Sequence, residues 1–138
     1  MNSDLGLYKE LSFAADFANL KLVEDFVDSV VAYDVVDPND YGNILIAVSE
    51  GVNNAIQHGC DGDNSKFVKL CAAVEKDHLK VVIEDEGNGF DFNNLPDPTA
   101  PENIEKENGR GVFLMRSLAE KVAFENNGAR VELFFKSK

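Results

Sequence analysis

The sequence predicts a two-layer α/β sandwich of the α+β class, with about three helices on one face of a mixed, mostly antiparallel sheet. Two observations indicate this fold: apolar strands occur in pairs joined by short polar turns, and other stretches carry apolar residues at helical spacing. A chain of 138 residues with 44% hydrophobic side chains is large enough for one packed core. We therefore expect residues 1–138 to form a single domain.

The first part of the chain is predicted to hold an edge strand and an amphipathic helix. Residues 5–13, LGLYKELSF, have the composition of a strand. Residues 16–33 place their apolar side chains near helical spacing.

A second helix is predicted to follow and to end near His58. Asp37 suits the N-cap, and Pro38 suits the first helical position because its missing N–H is not needed there. Gly59 directly follows the apolar pattern and is predicted to be the C-cap.

Two strand pairs make up most of the predicted sheet. Residues 66–74 and 79–85 are apolar stretches separated by a short polar turn, which indicates a hairpin. Residues 121–125 and 129–136 flank the sequence NNG, and Asn-Gly is a strong signal for a tight hairpin turn. Between the pairs, residues 91–108 are polar and proline-containing and are predicted to be a long loop. A short apolar helix is expected to follow Gly111.

Charge and composition exclude several classes of function. A formal charge of −12 disfavours binding to nucleic acid or to anionic membranes. The chain lacks an apolar run of membrane-spanning length and a basic, apolar signal-peptide start, so we expect a cytosolic protein. Cys60 and Cys71 have no metal-binding or redox spacing and are expected to be free thiols.

The second helix carries a polar row in the stretch EGVNNAIQH. Glu50, Asn54 and His58 follow one another at intervals of four, which places them along one flank, with Glu50 roughly opposite the apolar face. A solvated helix face is the alternative interpretation of this row. Gly51 is a poor helix former in the same stretch, and close packing of a ligand or of a loop that covers it against the helix could require a small residue there.

A strand end and a helix start carry two glycine motifs. In DEGNGF, Asp85 ends a predicted strand, and Gly87 and Gly89 allow a ligand to approach the backbone closely. A plain turn is the alternative. Gly109, Arg110 and Gly111 precede a predicted helix start, where backbone N–H groups attract anions. The alternative there is a loop-to-helix joint with a solvated arginine, and the spacing excludes a Walker P-loop.

Taken in order, the E-x-x-x-N helix, the D-x-G-x-G strand end, the polar loop and the G-x-G helix start resemble the GHKL ATP-binding superfamily. Within it, SEGVNNAIQHG and GRGVFLMRSL look most like the bacterial anti-sigma-factor serine kinases. The resemblance covers nearly the whole chain. It implies the Bergerat ATP-binding fold of histidine-kinase-like ATPase domains.

The resemblance also implies roles for single residues. Asn54 matches the asparagine that coordinates the Mg²⁺ bound to ATP, and Glu50 matches the general base that activates a serine hydroxyl or water. Asp85 matches the aspartate that accepts a hydrogen bond from the adenine amine, while Gly87 and Gly89 keep that turn open.

The resemblance also implies which residues contact the ATP phosphates and which residues form the lid of the site. Gly109, Arg110 and Gly111 match the glycine motif that holds the ATP phosphates. Residues 91–108 match the lid that closes over ATP. The implied cofactors are ATP and Mg²⁺.

The function implied by the resemblance is an ATP-dependent protein serine/threonine kinase. Its implied substrate is a STAS-domain anti-sigma antagonist, its second partner is a sigma factor or similar regulator, and its implied assembly is a homodimer. Two alternatives stay open: a non-catalytic ATP-binding module that only docks a partner, and a histidine-kinase-like domain acting in trans. Glu50 favours transfer to a hydroxyl over both.

Overall fold

The computed structural model describes residues 7–87 and 110–138. The predicted lid at 91–108 and two predicted site residues, Gly89 and Gly109, lie outside these ranges. Within them, the structure has the two layers that the sequence predicts, one sheet and one layer of helices.

Five strands form one sheet in the order β1-β2-β3-β5-β4. The strands are β1 (Tyr8–Ala14), β2 (Phe67–Glu75), β3 (His78–Asp85), β4 (Lys121–Glu125) and β5 (Arg130–Lys136). β1 lies at one edge, as predicted. All pairings among the described strands are antiparallel, so this sheet is purely antiparallel rather than mixed.

Three helices cover one face of this sheet: α1 (Lys21–Val31), α2 (Tyr41–Asn54) and α3 (Arg110–Leu118). α2 lies in the middle of the helical layer, because it contacts both other helices and also β3 and β5. No helix in the described ranges has the length and apolar character needed to span a membrane.

Both predicted hairpins are confirmed, and their turns use left-handed backbone. Lys76 has φ 57° between β2 and β3. Between β4 and β5, Asn126, Asn127 and Gly128 have φ values of 52°, 57° and 89°. Asparagine and glycine adopt this conformation at the lowest cost, which is why the NNG sequence predicted the turn correctly.

The start of α2 follows the predicted capping chemistry. The Asp37 carboxylate accepts a hydrogen bond from the Asn39 N–H at 2.9 Å, and Pro38 occupies the first position. The capped turn is a short 3₁₀ helix over Pro38–Asp40, and α2 itself begins at Tyr41.

The end of α2 differs from the prediction. After Asn54 the chain continues as a π-helical turn over Ala55–Gly59, and Gly59 is the last residue of that turn rather than a left-handed cap. The left-handed residues are instead Asp61 and Gly62, with φ 54° and 70°. The predicted C-cap at Gly59 is therefore wrong, and a packing contact explains this glycine.

The core lies between the helices and the inner face of the sheet. Its largest fully buried side chains come from all layers: Ile44 and Ile56 from the α2 region, Leu70, Leu79, Ile83 and Leu133 from the strands, and Met115 from α3. Each such side chain contributes about 1.5–3 kcal/mol by leaving water.

Gly51 lies where α2 crosses the sheet. A methyl group built on it would overlap the side chain of Ile83 on β3 and would lie 3.3 Å from Sδ of Met115 on α3. Both neighbours are about 1% exposed, so they have little room to move. The sheet and α3, both on the core side, explain the small residue at this position.

We expect Gly51→Ala to lower the free energy of unfolding, because overpacking costs about 1–3 kcal/mol and exceeds the roughly 1 kcal/mol gain in helix propensity. Gly42 is the matched control, because it lies in the same helix with nothing within 4 Å of an added methyl group. Gly42→Ala should raise stability by about 0.5–1 kcal/mol. Urea unfolding of the two variants measures the contrast, and equal stabilisation by both would contradict this packing account.

Candidate functional site

Three predicted site residues converge where α2 faces the start of α3. A methyl group built on Gly111 would lie 3.0 Å from both terminal atoms of the Asn54 amide and 3.1 Å from Oε2 of Glu50. The carboxylate and the amide therefore meet at the first turn of α3. A larger residue at Gly111 would occupy the space that they share.

Asn54 is buried, so the alternative interpretation of a solvated flank does not hold for this residue. It is the one polar residue among the buried residues of the described ranges, with 7% of its surface exposed. No hydrogen bond joins its side chain to any residue in 7–87 or 110–138. Among the described residues the amide thus has no hydrogen-bond partner, and a ligand or metal ion can supply one.

The start of α3 also differs from the prediction. α3 begins at Arg110, so Gly111 lies inside its first turn rather than before it. The first-turn backbone N–H groups, which lack partners within a helix, therefore come close to Glu50 and Asn54. The structure describes the backbone of Arg110 but not its side chain, so its predicted phosphate contact stays a prediction.

Asp85 lies at the end of β3, which pairs with β2 on one side and with β5 on the other. Its backbone N–H donates to the carbonyl of Ala129 at 2.8 Å, which holds the strand end in place. Its carboxylate accepts a hydrogen bond from the Gly87 N–H at 2.8 Å. This contact orients the side chain within the turn that follows the strand.

Burial raises the pKa of Asp85 from 3.8 to about 6. The neighbouring carboxylate of Glu84 also raises the pKa, whereas the Gly87 N–H and Lys66 lower it. The carboxyl group is thus ionised at neutral pH in a poorly solvated position. Such a group gains from any donor that a ligand brings to it.

Gly59 and Gly87 let this carboxyl group approach the end of the α2 region. A methyl group on Gly59 would lie 2.6 Å from Cγ of Asp85, and one on Gly87 would overlap the backbone carbonyl of Gly59. Next to this contact, the Cys60 thiol is fully buried, and burial followed by the charge of Asp85 raises its pKa. Sequence reasoning missed Gly59 as a site residue, because a glycine after a helix looks like a cap.

The shifted pKa predicts how stability without nucleotide depends on pH. The folded chain holds the Asp85 proton more tightly than the unfolded chain does, so this group adds stability at low pH that is lost as pH rises through about 6. We expect Asp85→Asn to remove that loss and to become more stable relative to wild type between about pH 4 and 7. Thermal unfolding across this range measures the difference, and a difference that does not change with pH would contradict the shift.

A small cavity connects the two polar groups. It has a volume of about 10 Å³ and is lined by Gly51, Asn54, Ile83, Asp85 and Met115, among others. This volume fits about one water molecule, whereas ligand pockets usually measure about 300–1,000 Å³. The described residues therefore bring the amide of Asn54 and the carboxyl group of Asp85 to one small cavity.

Comparison with known proteins identifies the class. The family described as Histidine kinase-like ATPase domain matches residues 13–135, and the chain belongs to this family. The predicted GHKL-type fold, ATP use and relationship to serine kinases are confirmed at the level of the family.

Curated relatives within this group are named Serine-protein kinase RsbW. The protein from Staphylococcus epidermidis is 28% identical over 134 residues, which cover 91% of this chain and 84% of that protein. The protein from Bacillus velezensis is 32% identical over 95 residues, or 64% of this chain and 59% of that protein. The predicted class, an ATP-dependent serine kinase of the anti-sigma-factor type, agrees with these relatives.

A solved structure supports the fold. The RsbU and RsbW domains of a Mycobacterium tuberculosis protein match with a TM-score of 0.65 at 18% identity. The match covers 95% of this chain and 32% of that longer chain, so it concerns one part of a larger protein.

Proposed function

We propose that this chain phosphorylates a serine or threonine of a STAS-type antagonist at the expense of ATP, and that it binds a sigma factor or similar regulator in competition with that antagonist. The convergence of Glu50 and the buried Asn54 amide at the first turn of α3 carries the proposal. A carboxylate beside a helix start, where backbone N–H groups can bind phosphate, suits transfer to a hydroxyl.

Glu50 is the proposed general base. It accepts the proton of the substrate hydroxyl as the hydroxyl oxygen forms its bond to the γ-phosphorus. The bond between that phosphorus and the β,γ-bridging oxygen breaks, and ADP leaves with the electron pair. The half-buried position of Glu50 on α2 keeps it at the edge of the site, where a protein substrate can reach it.

Asn54 is the proposed ligand for Mg²⁺. An amide oxygen is a hard ligand, and Mg²⁺ usually takes few protein ligands together with phosphate oxygens and water. Within residues 7–87 and 110–138, no three His, Cys, Asp or Glu side chains cluster as a metal site. Bound Mg²⁺ would neutralise phosphate charge in a protein whose net charge is −12.

Asp85 and the glycines are proposed to hold the two ends of ATP. The ionised Asp85 carboxylate would accept from the exocyclic amine of adenine, and Gly87 and Gly89 would keep the turn accessible. Gly109, Arg110 and Gly111 would bind phosphates through the α3 start. We propose that residues 91–108 act as the lid of this site.

The assembly and location are proposed with the function. A homodimer follows from the family analogy alone, and the partners would place the protein in the cytoplasm.

Incubation with [γ-³²P]ATP, Mg²⁺ and each STAS-domain protein of the same genome tests the proposal. We expect one STAS protein to acquire phosphoserine or phosphothreonine. Labelling of none, in a preparation that binds ATP, would contradict the kinase and favour the docking module.

A further inference from the structure

The solvent-facing side of α2 is unusual for this protein. We define the α2 face as Asn43, Ile46, Glu50 and Asn53, which follow one stripe along α2 and are exposed or half-buried. Glu50 is the one charged residue in all of α2, whereas 28% of the chain is charged. Solvent-facing helix surfaces are normally rich in charge, so this face differs from a simple solvated one.

Ile46 lies at the centre of the α2 face and is 46% exposed. It precedes Glu50 by four residues, and side chains at this spacing are neighbours about 5–6 Å apart on a helix. Asn53 follows Glu50 by three residues and extends the face toward the site. An apolar side chain therefore lies one turn from the proposed base, with uncharged polar groups around it.

The chemistry of the proposed reaction restricts what can cover this face. A hydroxyl that gives its proton to Glu50 must come within about 3 Å of the carboxylate. A folded protein that presents such a hydroxyl necessarily covers the exposed neighbours of Glu50 as well. The neighbouring helix α1 instead presents Glu24, Asp25 and Asp28, which would repel an acidic surface.

We propose that the α2 face is the docking surface for the protein substrate, with Ile46 as its apolar anchor. This inference rests on the proposed kinase function. The fitting partner is a folded protein whose acceptor hydroxyl is flanked by an apolar patch and few charges. A face whose one charged residue is Glu50 permits close contact with less of the like-charge repulsion expected elsewhere on a chain of −12.

Ile46→Gln tests the anchor, because it removes the apolar contact and keeps the charge, the approximate size and the helix propensity. Tyr33→Gln is the control: Tyr33 is 57% exposed and follows α1, where its ring contacts Lys9. The probe is the STAS-domain protein that wild type phosphorylates. We expect Ile46→Gln to raise the KM for this protein about tenfold, whereas Tyr33→Gln keeps the wild-type KM.

The affinity for ATP, measured without the protein substrate, should be the same in wild type and both variants. A wild-type KM for the STAS protein in Ile46→Gln would overturn the docking proposal and leave the kinase proposal intact. An equal rise in both variants would also overturn it, because the effect would not be specific to the α2 face. Failure of wild type to phosphorylate any STAS protein would instead contradict the proposed function, and the docking proposal with it.

Discussion

Glu50→Gln is expected to slow phosphoryl transfer to the substrate hydroxyl by about 10²- to 10⁴-fold, the usual contribution of a positioned general base. Glutamine keeps the size and the hydrogen-bonding oxygen of Glu50, but it does not accept the proton at neutral pH. ATP affinity should change little, because the proposed contacts to adenine and Mg²⁺ come from Asp85 and Asn54. Single-turnover transfer from bound ATP to the STAS protein separates the chemical step from binding.

Glu75→Gln is the matched control for this effect. Glu75 ends β2, where it pairs with Lys80 at 3.2 Å and its side chain is 55% exposed. The same chemical change there should leave the transfer rate at the wild-type value. Transfer by Glu50→Gln at the wild-type rate would show that Glu50 is not the base.

Asp85→Asn is expected to weaken ATP binding by about 10- to 100-fold. The variant loses a charge-assisted hydrogen bond to adenine, and hydrogen bonds to charged groups contribute about 1.5–3 kcal/mol. The same substitution should stabilise the protein without nucleotide near neutral pH, because it removes the half-buried charge of the carboxyl group whose pKa is about 6. Titration calorimetry and thermal unfolding measure these opposite effects on one variant.

Asp25→Asn makes the same change in charge at an exposed position of α1 and should alter neither quantity appreciably. Unchanged ATP affinity in Asp85→Asn would contradict the proposed hydrogen bond between Asp85 and adenine. A variant that loses affinity only because it unfolds would also lose stability, the reverse of the expected sign.

Local sequence chemistry predicted much of the fold. The NNG turn, the Asp37 cap and the strand pairs depend on neighbouring residues, whose conformational preferences can be read without the rest of the chain. The resemblance then predicted that Glu50, Asn54 and Asp85 belong to one site. Their separation along the sequence does not by itself indicate this.

Tertiary packing decided the features that were not predicted. Gly51 and Gly59 are explained by Ile83 and Asp85, residues far away in the sequence that come close only in the folded chain. The burial of Asn54 likewise depends on α3, which packs against α2 although β2 and β3 separate the two helices in the sequence. Helical periodicity places a side chain on a flank, but it does not reveal which neighbouring element covers that flank.

Mass spectrometry of a STAS-domain protein after incubation with the wild-type chain tests the central claim most directly. The account predicts phosphate on a single serine or threonine, formed with ATP and Mg²⁺ together and lost when Mg²⁺ is chelated. A wild-type chain that binds both ATP and the STAS protein, yet leaves every hydroxyl unmodified in the presence of Mg²⁺, would contradict it.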